Sequence, residues 1–186
     1  MSYNIYYSTD GFDFVLYQDL SIEHSDKVLS YRNHENVRKW MFNSDKISLK
    51  EHLNFINKLK DSSKIYCAVF RKKKIVACVY LNDIGNSEYF VGHFLNPRLL
   101  SSGIGLYFEY VYLKFFFEHI KAKVIRASVK KENYPMIKIH RLCNFKEIDK
   151  ENSIYYDYEF SINEYKGIPN NMEDFVTFLT NKYLDK

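Results

Sequence analysis

The sequence predicts a mixed α/β fold: a central twisted sheet of about seven strands, antiparallel in its first half and flanked by helices. Three observations predict it. The runs KIYCAVF (64–70) and IVACVYL (75–81) flank the basic turn Arg71-Lys72-Lys73-Lys74 and read as an antiparallel hairpin. The run SEYFVGHFL (about 87–95) passes through NPRLLSSGIG into an aromatic stretch of helical length. After that stretch, strand and helix patterns alternate, so the second half contains a crossover helix.

Each element has its own signal. FDFVLYQ (12–18) alternates enough for a strand. A helix follows near 22–31, with Val28, Leu29 and Tyr31 on its apolar side. The segment 32–48 is polar but studded with Trp40, Met41 and Phe42. SLKE (48–51) is a capping box, in which Ser48 caps and Glu51 reaches back. The helix it opens, 49–60, sets Leu49, Leu53, Ile56 and Leu59 at helical spacing. Beyond the aromatic helix, which ends near 119, KVIRASV (123–129) is a strand. NYPMIKIHRLC (133–143) is a helix with Pro135 in its first turn, where the missing N–H costs little. FKEI and then IYYDYEF, within 153–160, are the last strands. Asn171, Glu173 and Asp174 suit the N-terminus of a final helix near 171–183. Residues 1–186 are expected to form a single domain, with about 165–186 as a C-terminal helical extension.

Composition excludes several functions. Hydrophobic residues make up 46% and charged residues 27%, the balance of a globular chain. A net charge of +4 suits a small anionic ligand but argues against nucleic acid, because no basic run exceeds residues 71–74. Cys67, Cys78 and Cys143 are odd in number, far apart and set in apolar segments, so neither a disulfide framework nor a metal site is expected. The start MSYNIYYSTD has no basic and no apolar leader region, and 104–117 is too short to span a bilayer and carries Glu109 and Lys114. A cytoplasmic protein without a membrane partner is the expectation.

The glycines Gly103 and Gly105 read by themselves either as plain loop geometry or as a phosphate loop. A strand–loop–helix with glycines presents backbone N–H donors and a helix dipole to a phosphate, with no Cβ in the way. No GK[ST] follows, and the GxGxxG spacing breaks at Phe108, so neither a Walker loop nor a dinucleotide fingerprint is present. Leu95, Pro97, Gly103 and Gly105 match V-x-P-x-x-[RQ]-G-x-G-x-[GA], with Leu100 in place of Arg or Gln and Ser101 where Gly is frequent. Asn133, Met136, His140, Asn144 and Phe145 keep the spacing of N-x-x-A-x-x-x-Y-x-x-x-G-F. Both patterns resemble the acetyl-CoA site of the GNAT N-acetyltransferases. Residues 32–56, RNHENVRKWMFNSDKISLKEHLNFI, resemble a narrower group, the flagellin-modification acetyltransferases of pseudaminic acid synthesis. That similarity runs from about 24 to 160.

The resemblance implies the GNAT fold, acetyl-CoA as co-substrate, and direct attack by an amine on the thioester. The acceptor it implies is the 4-amine of a UDP-linked 4-amino-4,6-dideoxy-N-acetyl-altrosamine. The backbone around Phe94 and Leu95 would pair with the pantetheine arm. The N–H groups of Leu100, Ser101, Ser102, Gly103, Ile104 and Gly105 would take the pyrophosphate, with Asn133 as a further cofactor contact. His140 stands at the position of the acid, where relatives have Tyr. His93 is the better base candidate on its strand, acting through water, with Glu88 as another. By the same resemblance Arg32 and His52 would meet the UDP phosphates. Met41, Phe42, Phe55 and Phe94 would line an apolar slot for the uracil. A homodimer is compatible with this reading. The departures at Leu100 and His140 leave open a GNAT enzyme acting on another nucleotide amino sugar, a polyamine or a protein N-terminus.

Overall fold

The computed structural model describes residues 4–100, 102–151, 153–169 and 173–175. Among them are eight strands: β1 (Tyr7–Thr9), β2 (Phe12–Leu16), β3 (Ile65–Arg71), β4 (Lys74–Gly85), β5 (Glu88–Leu95), β6 (Val124–Lys130), β7 (Lys146–Asp149) and β8 (Tyr155–Ser161). The helices are α1 (Ile22–Asn33), α2 (Glu35–Arg38), α3 (Leu49–Leu59), α4 (Ile104–Lys114), α5 (Tyr134–Leu142) and α6 (Ile162–Lys166). The strands form one mixed sheet in the order β1-β2-β3-β4-β5-β6-β8-β7.

The sheet has one strand more than the sequence patterns predict. The extra strand is β1, and its signal is the Asp-Gly pair at 10–11. Both residues have positive φ, 50° and 77°, the backbone of a two-residue hairpin turn whose twist suits antiparallel strands. Tyr7 therefore pairs with Phe14, and Thr9 with Phe12. The expected strand 12–18 stops earlier, at Leu16, because Tyr17–Asp19 turns into a 3-10 helix.

The chain forms two compact units. One holds the residues up to Asp83 together with Val91–Gly105; the other holds Ile84–Phe90 and the residues from Leu106 on. In the first unit β1 to β4 are antiparallel neighbours. Val28 of α1 and Ile56 and Leu59 of α3 pack with Val15, Ala68, Phe70 and Cys78 of the strands in one buried cluster. Full burial of each Val, Ile, Leu and Phe among them contributes about 2 kcal/mol. The predicted capping box is present: Glu51 N–H donates to Ser48 Oγ at 3.2 Å, and Ser48 N–H donates to Glu51 Oε2 at 2.7 Å.

In the second unit Glu88–Phe90 of β5 pairs in parallel with Val124–Arg126 of β6, and β8 is antiparallel to both β6 and β7. Burial alternates along β6, with Ile125, Ala127 and Val129 inward. On the same side Tyr158 and Phe160 of β8 are buried. Phe117, in the π-helical turn Phe115–His119 that follows α4, packs on Phe160 with ring centres 5.7 Å apart. Pro135 sits in the first turn of α5 as expected. The short helix α6 has its own capping box, Ser161 with Glu164. The helix expected near 171–183 lies outside the described residues, except for the helical stretch 173–175.

Candidate active site

The loop after β5 is anchored at its start. Asn96 N–H donates to Val76 O at 2.8 Å, and its side-chain amide donates to Tyr31 Oη at 3.0 Å and Ile75 O at 3.1 Å. Pro97–Leu99 then makes a 3-10 turn. Two of the N–H groups expected to face a phosphate close this turn instead: Leu100 N–H donates to Pro97 O at 3.4 Å, and Ser102 N–H to Leu99 O at 3.2 Å. Ile104 N–H leans on Ser102 Oγ at 3.4 Å. Among the described residues the donor set narrows to Gly103 and Gly105. Gly103 has φ +79°, a left-handed conformation that favours glycine, and a Cβ there would meet nothing within 4 Å. Gly105 lies in the first turn of α4, whose leading N–H groups have no partner inside the helix. Ser101 lies outside the described residues.

Phe94 and Leu95 end β5, both half-buried. Asn133 caps α5 by position, but its side chain makes no capping hydrogen bond, which leaves the amide available.

The three catalytic candidates stand in different settings. His93 is half-buried on β5, and desolvation lowers its pKa to about 4, so the imidazole is neutral at physiological pH. Glu88 Oε2 accepts from Arg126 Nη2 at 3.0 Å and Nε at 3.2 Å, while Arg126 Nη1 reaches Glu159 Oε2 at 2.7 Å. Its carboxylate thus ties β5 to its neighbours. His140 is 3% exposed, stacked on Phe145 at 4.3 Å and edge-on to Tyr158 at 4.6 Å.

The two polar residues expected at the nucleotide phosphates are engaged elsewhere. Arg32 donates to Asp45 O and Asn43 O, both at 2.6 Å. With Arg38 on Ser44 O at 2.8 Å and Asn33 on Ile47 O at 2.7 Å, it holds a loop whose backbone carbonyls have no strand or helix to pair with. His52 is 6% exposed, its Nε2 donating to Ser25 O at 3.2 Å and its ring edge-on to Tyr17. Arg32, Asn33 and His52 therefore read as loop and core supports.

Of the apolar slot, Phe55 and Phe94 each pack at the margin of the first unit's core, and Phe55 meets Tyr66. Met41 is half-buried and Phe42 is 57% exposed. Tyr66, Tyr80 and Gly92 are, in sequence, indistinguishable from alternating strand residues.

A polar cluster in the second unit likewise has no signal in the sequence. Ser128 Oγ donates to Asp157 Oδ1 at 2.5 Å, and Lys150 pairs with the same carboxylate. Desolvation pushes Asp157 up, but the hydrogen bonds from Lys150 and Ser128 outweigh it and hold its pKa below the ordinary value. With Phe90 and Arg126 they line a pocket of ≈ 410 Å3. All three cysteines are buried free thiols. Burial pushes Cys67 up and Cys78 up to about 12, so both stay protonated and non-nucleophilic.

No family model matches the chain. Two curated proteins named Acetyltransferase PseH are each 27% identical to it over 141 residues, 75% of this chain and 88% of theirs. They come from Campylobacter jejuni subsp. jejuni serotypes O:23/36 (strain 81-176) and O:2 (strain ATCC 700819 / NCTC 11168). The crystal structure of Campylobacter jejuni N-acetyltransferase PseH in complex with acetyl coenzyme A superposes with a TM-score of 0.67 at 21% identity, covering 81% of this chain and 99% of that one. Spermidine N-acetyltransferase from Vibrio cholerae, in complex with CoA and spermine, superposes with a TM-score of 0.74 at 16% identity, covering 85% and 99%.

Proposed function

From a chain with the GNAT N-acetyltransferase fold and homology to the PseH acetyltransferases, we propose an acetyl-CoA-dependent N-acetyltransferase acting on the 4-amine of a UDP-linked 4-amino-4,6-dideoxy sugar in pseudaminic acid synthesis. Sequence likeness carries this reading. The spermidine enzyme shares the fold at a higher TM-score but with lower identity, so fold alone does not choose the acceptor.

The N–H groups of Gly103 and Gly105, with the positive end of α4, would take the pyrophosphate. Leu100, Ser102 and Ile104 shape the turn that presents them, and Ser101 would add its N–H to the set. The backbone of Phe94 and Leu95 would pair with the pantetheine arm, and the Asn133 amide would add a further contact. The neutral amine attacks the thioester carbon, the C–N bond forms, and the C–S bond breaks. The nitrogen's proton leaves through water to His93, neutral at working pH because of its desolvation. His140 gives a proton to the thiolate. The substrates imply a cytoplasmic enzyme. Among the described residues no helix is long and apolar enough to cross a membrane.

The test is thiol release from acetyl-CoA with the UDP-4-amino sugar, spermidine and a ribosomal-protein N-terminal peptide in parallel. The sugar should lead by roughly 100-fold in kcat/KM. Its kcat/KM should rise as the ammonium deprotonates and show no inflection near 6.5 from His93. Preference for spermidine or the peptide would overturn the acceptor.

A further inference from the structure

The first unit contains an aromatic arrangement that the chemistry above does not use. Tyr66 and Tyr80 are register partners across β3 and β4, and their rings stack at 5.3 Å with 16° between planes. Phe55 meets Tyr66 edge-on at 4.8 Å, and Tyr17 backs it at 5.7 Å. On the adjacent strand β5, a Cβ built at Gly92 would lie 2.3 Å from Tyr80 Oη and 2.4 Å from Cζ. The phenol of Tyr80 thus fills the space over Gly92 of β5 that only a glycine leaves free. Glycine inside a strand weakens it and marks close approach, and here the approaching group is a tyrosine. Phe94, two residues on, shares the Gly92 face by the period of the strand.

Both tyrosines are half-buried, and neither hydroxyl has a hydrogen-bond partner among the described residues. Burial pushes the Tyr80 pKa up to about 12, so its hydroxyl remains a neutral donor and acceptor. A flat aromatic surface ending in a free hydroxyl fits a ligand with an apolar C–H face beside a polar substituent. A deoxyhexose has both.

We propose that Tyr80, held over Gly92 by its stack on Tyr66, seats the amine-bearing acceptor. The ring pair takes the apolar face of the deoxy sugar, and the Tyr80 hydroxyl hydrogen-bonds one of its polar substituents. Tyr80 is a positioning residue, and Gly92 is the residue that lets it lie there. This assignment rests on the amino-sugar reading of the acceptor.

Tyr80→Phe keeps the ring stack and removes only the hydroxyl. The KM for the acceptor should rise about tenfold, the worth of one hydrogen bond, while the KM for acetyl-CoA and the melting temperature stay put. Gly92→Ala should raise the acceptor KM at least as far, because the new Cβ displaces the phenol. In a Tyr80→Ala background the same Gly92→Ala change should cost nothing more. An unchanged acceptor KM in Tyr80→Phe overturns the proposal. So does a parallel rise of both KM values with a lowered melting temperature, which marks a packing role alone. If the wild-type chain turns over a different amine, the sugar reading fails while the Tyr80→Phe comparison on that amine still decides the seat. If it turns over none, both fall.

Discussion

Helices α3 and α4 are both 11 residues long and meet water in opposite ways. α3 opens on a complete capping box and buries one stripe, His52, Ile56 and Leu59. α4 buries six residues in succession, Phe108 to Leu113, and among them is Glu109. The first helix is held by its cap and one stripe of contacts; the second is held by burial on every side. The contrast separates substitutions the chain tolerates from those it does not.

The largest effect is expected in α4. Phe108 is 0% exposed and packs against Tyr112 at 6.2 Å between ring centres. Phe108→Ala should cost about 3–5 kcal/mol through lost transfer energy and the cavity left behind. Urea unfolding measures it. A loss below about 1 kcal/mol would mean that α4 is not the closed core described above.

Glu109 gives the next effect, with a definite sign in pH. It is 0% exposed, and desolvation raises its pKa to about 8 from an ordinary 4.5. The folded chain therefore holds a proton that the unfolded chain releases. This contribution is full below about 4.5 and is lost as pH rises through 8, by on the order of a few kcal/mol. Glu109→Gln should flatten the pH dependence of unfolding across that window and be more stable than wild type at pH 8. An unchanged profile would show that the carboxyl is ionised in the folded chain.

Legibility followed the same division. The capping box, the hairpin at 64–81 and the strand–loop–helix around Gly103 were readable because each rests on local chemistry. The α3 stripe was only half readable. Helical spacing offers Leu49, Leu53, Ile56 and Leu59, but the inward stripe replaces the first two with His52, whose ring finds Ser25 O and Tyr17 from elsewhere in the chain. Arg32 shows the same limit: a guanidinium that suits a phosphate also suits the carbonyls of Asn43 and Asp45, and no sequence spacing distinguishes the two. Tyr80 over Gly92 and Ser128 on Asp157 are cross-strand contacts, legible only once register is known.

The smallest stability effect belongs to the outer stripe of α3. Leu49 is 48% exposed and Leu53 is 39% exposed, so each buries only part of its apolar surface in the folded chain. Leu53→Ser should lower stability by about 1 kcal/mol, against several for a similar change in α4. The same variant has a second readout in the acceptor KM. Leu53 and Phe55, two apart on α3, point to different faces of the helix, so the acceptor KM should stay unchanged. A raised acceptor KM would assign the exposed leucines to ligand contact and extend the apolar slot along α3. An unchanged KM would confine the slot to Phe55, Phe94 and the tyrosines beside them.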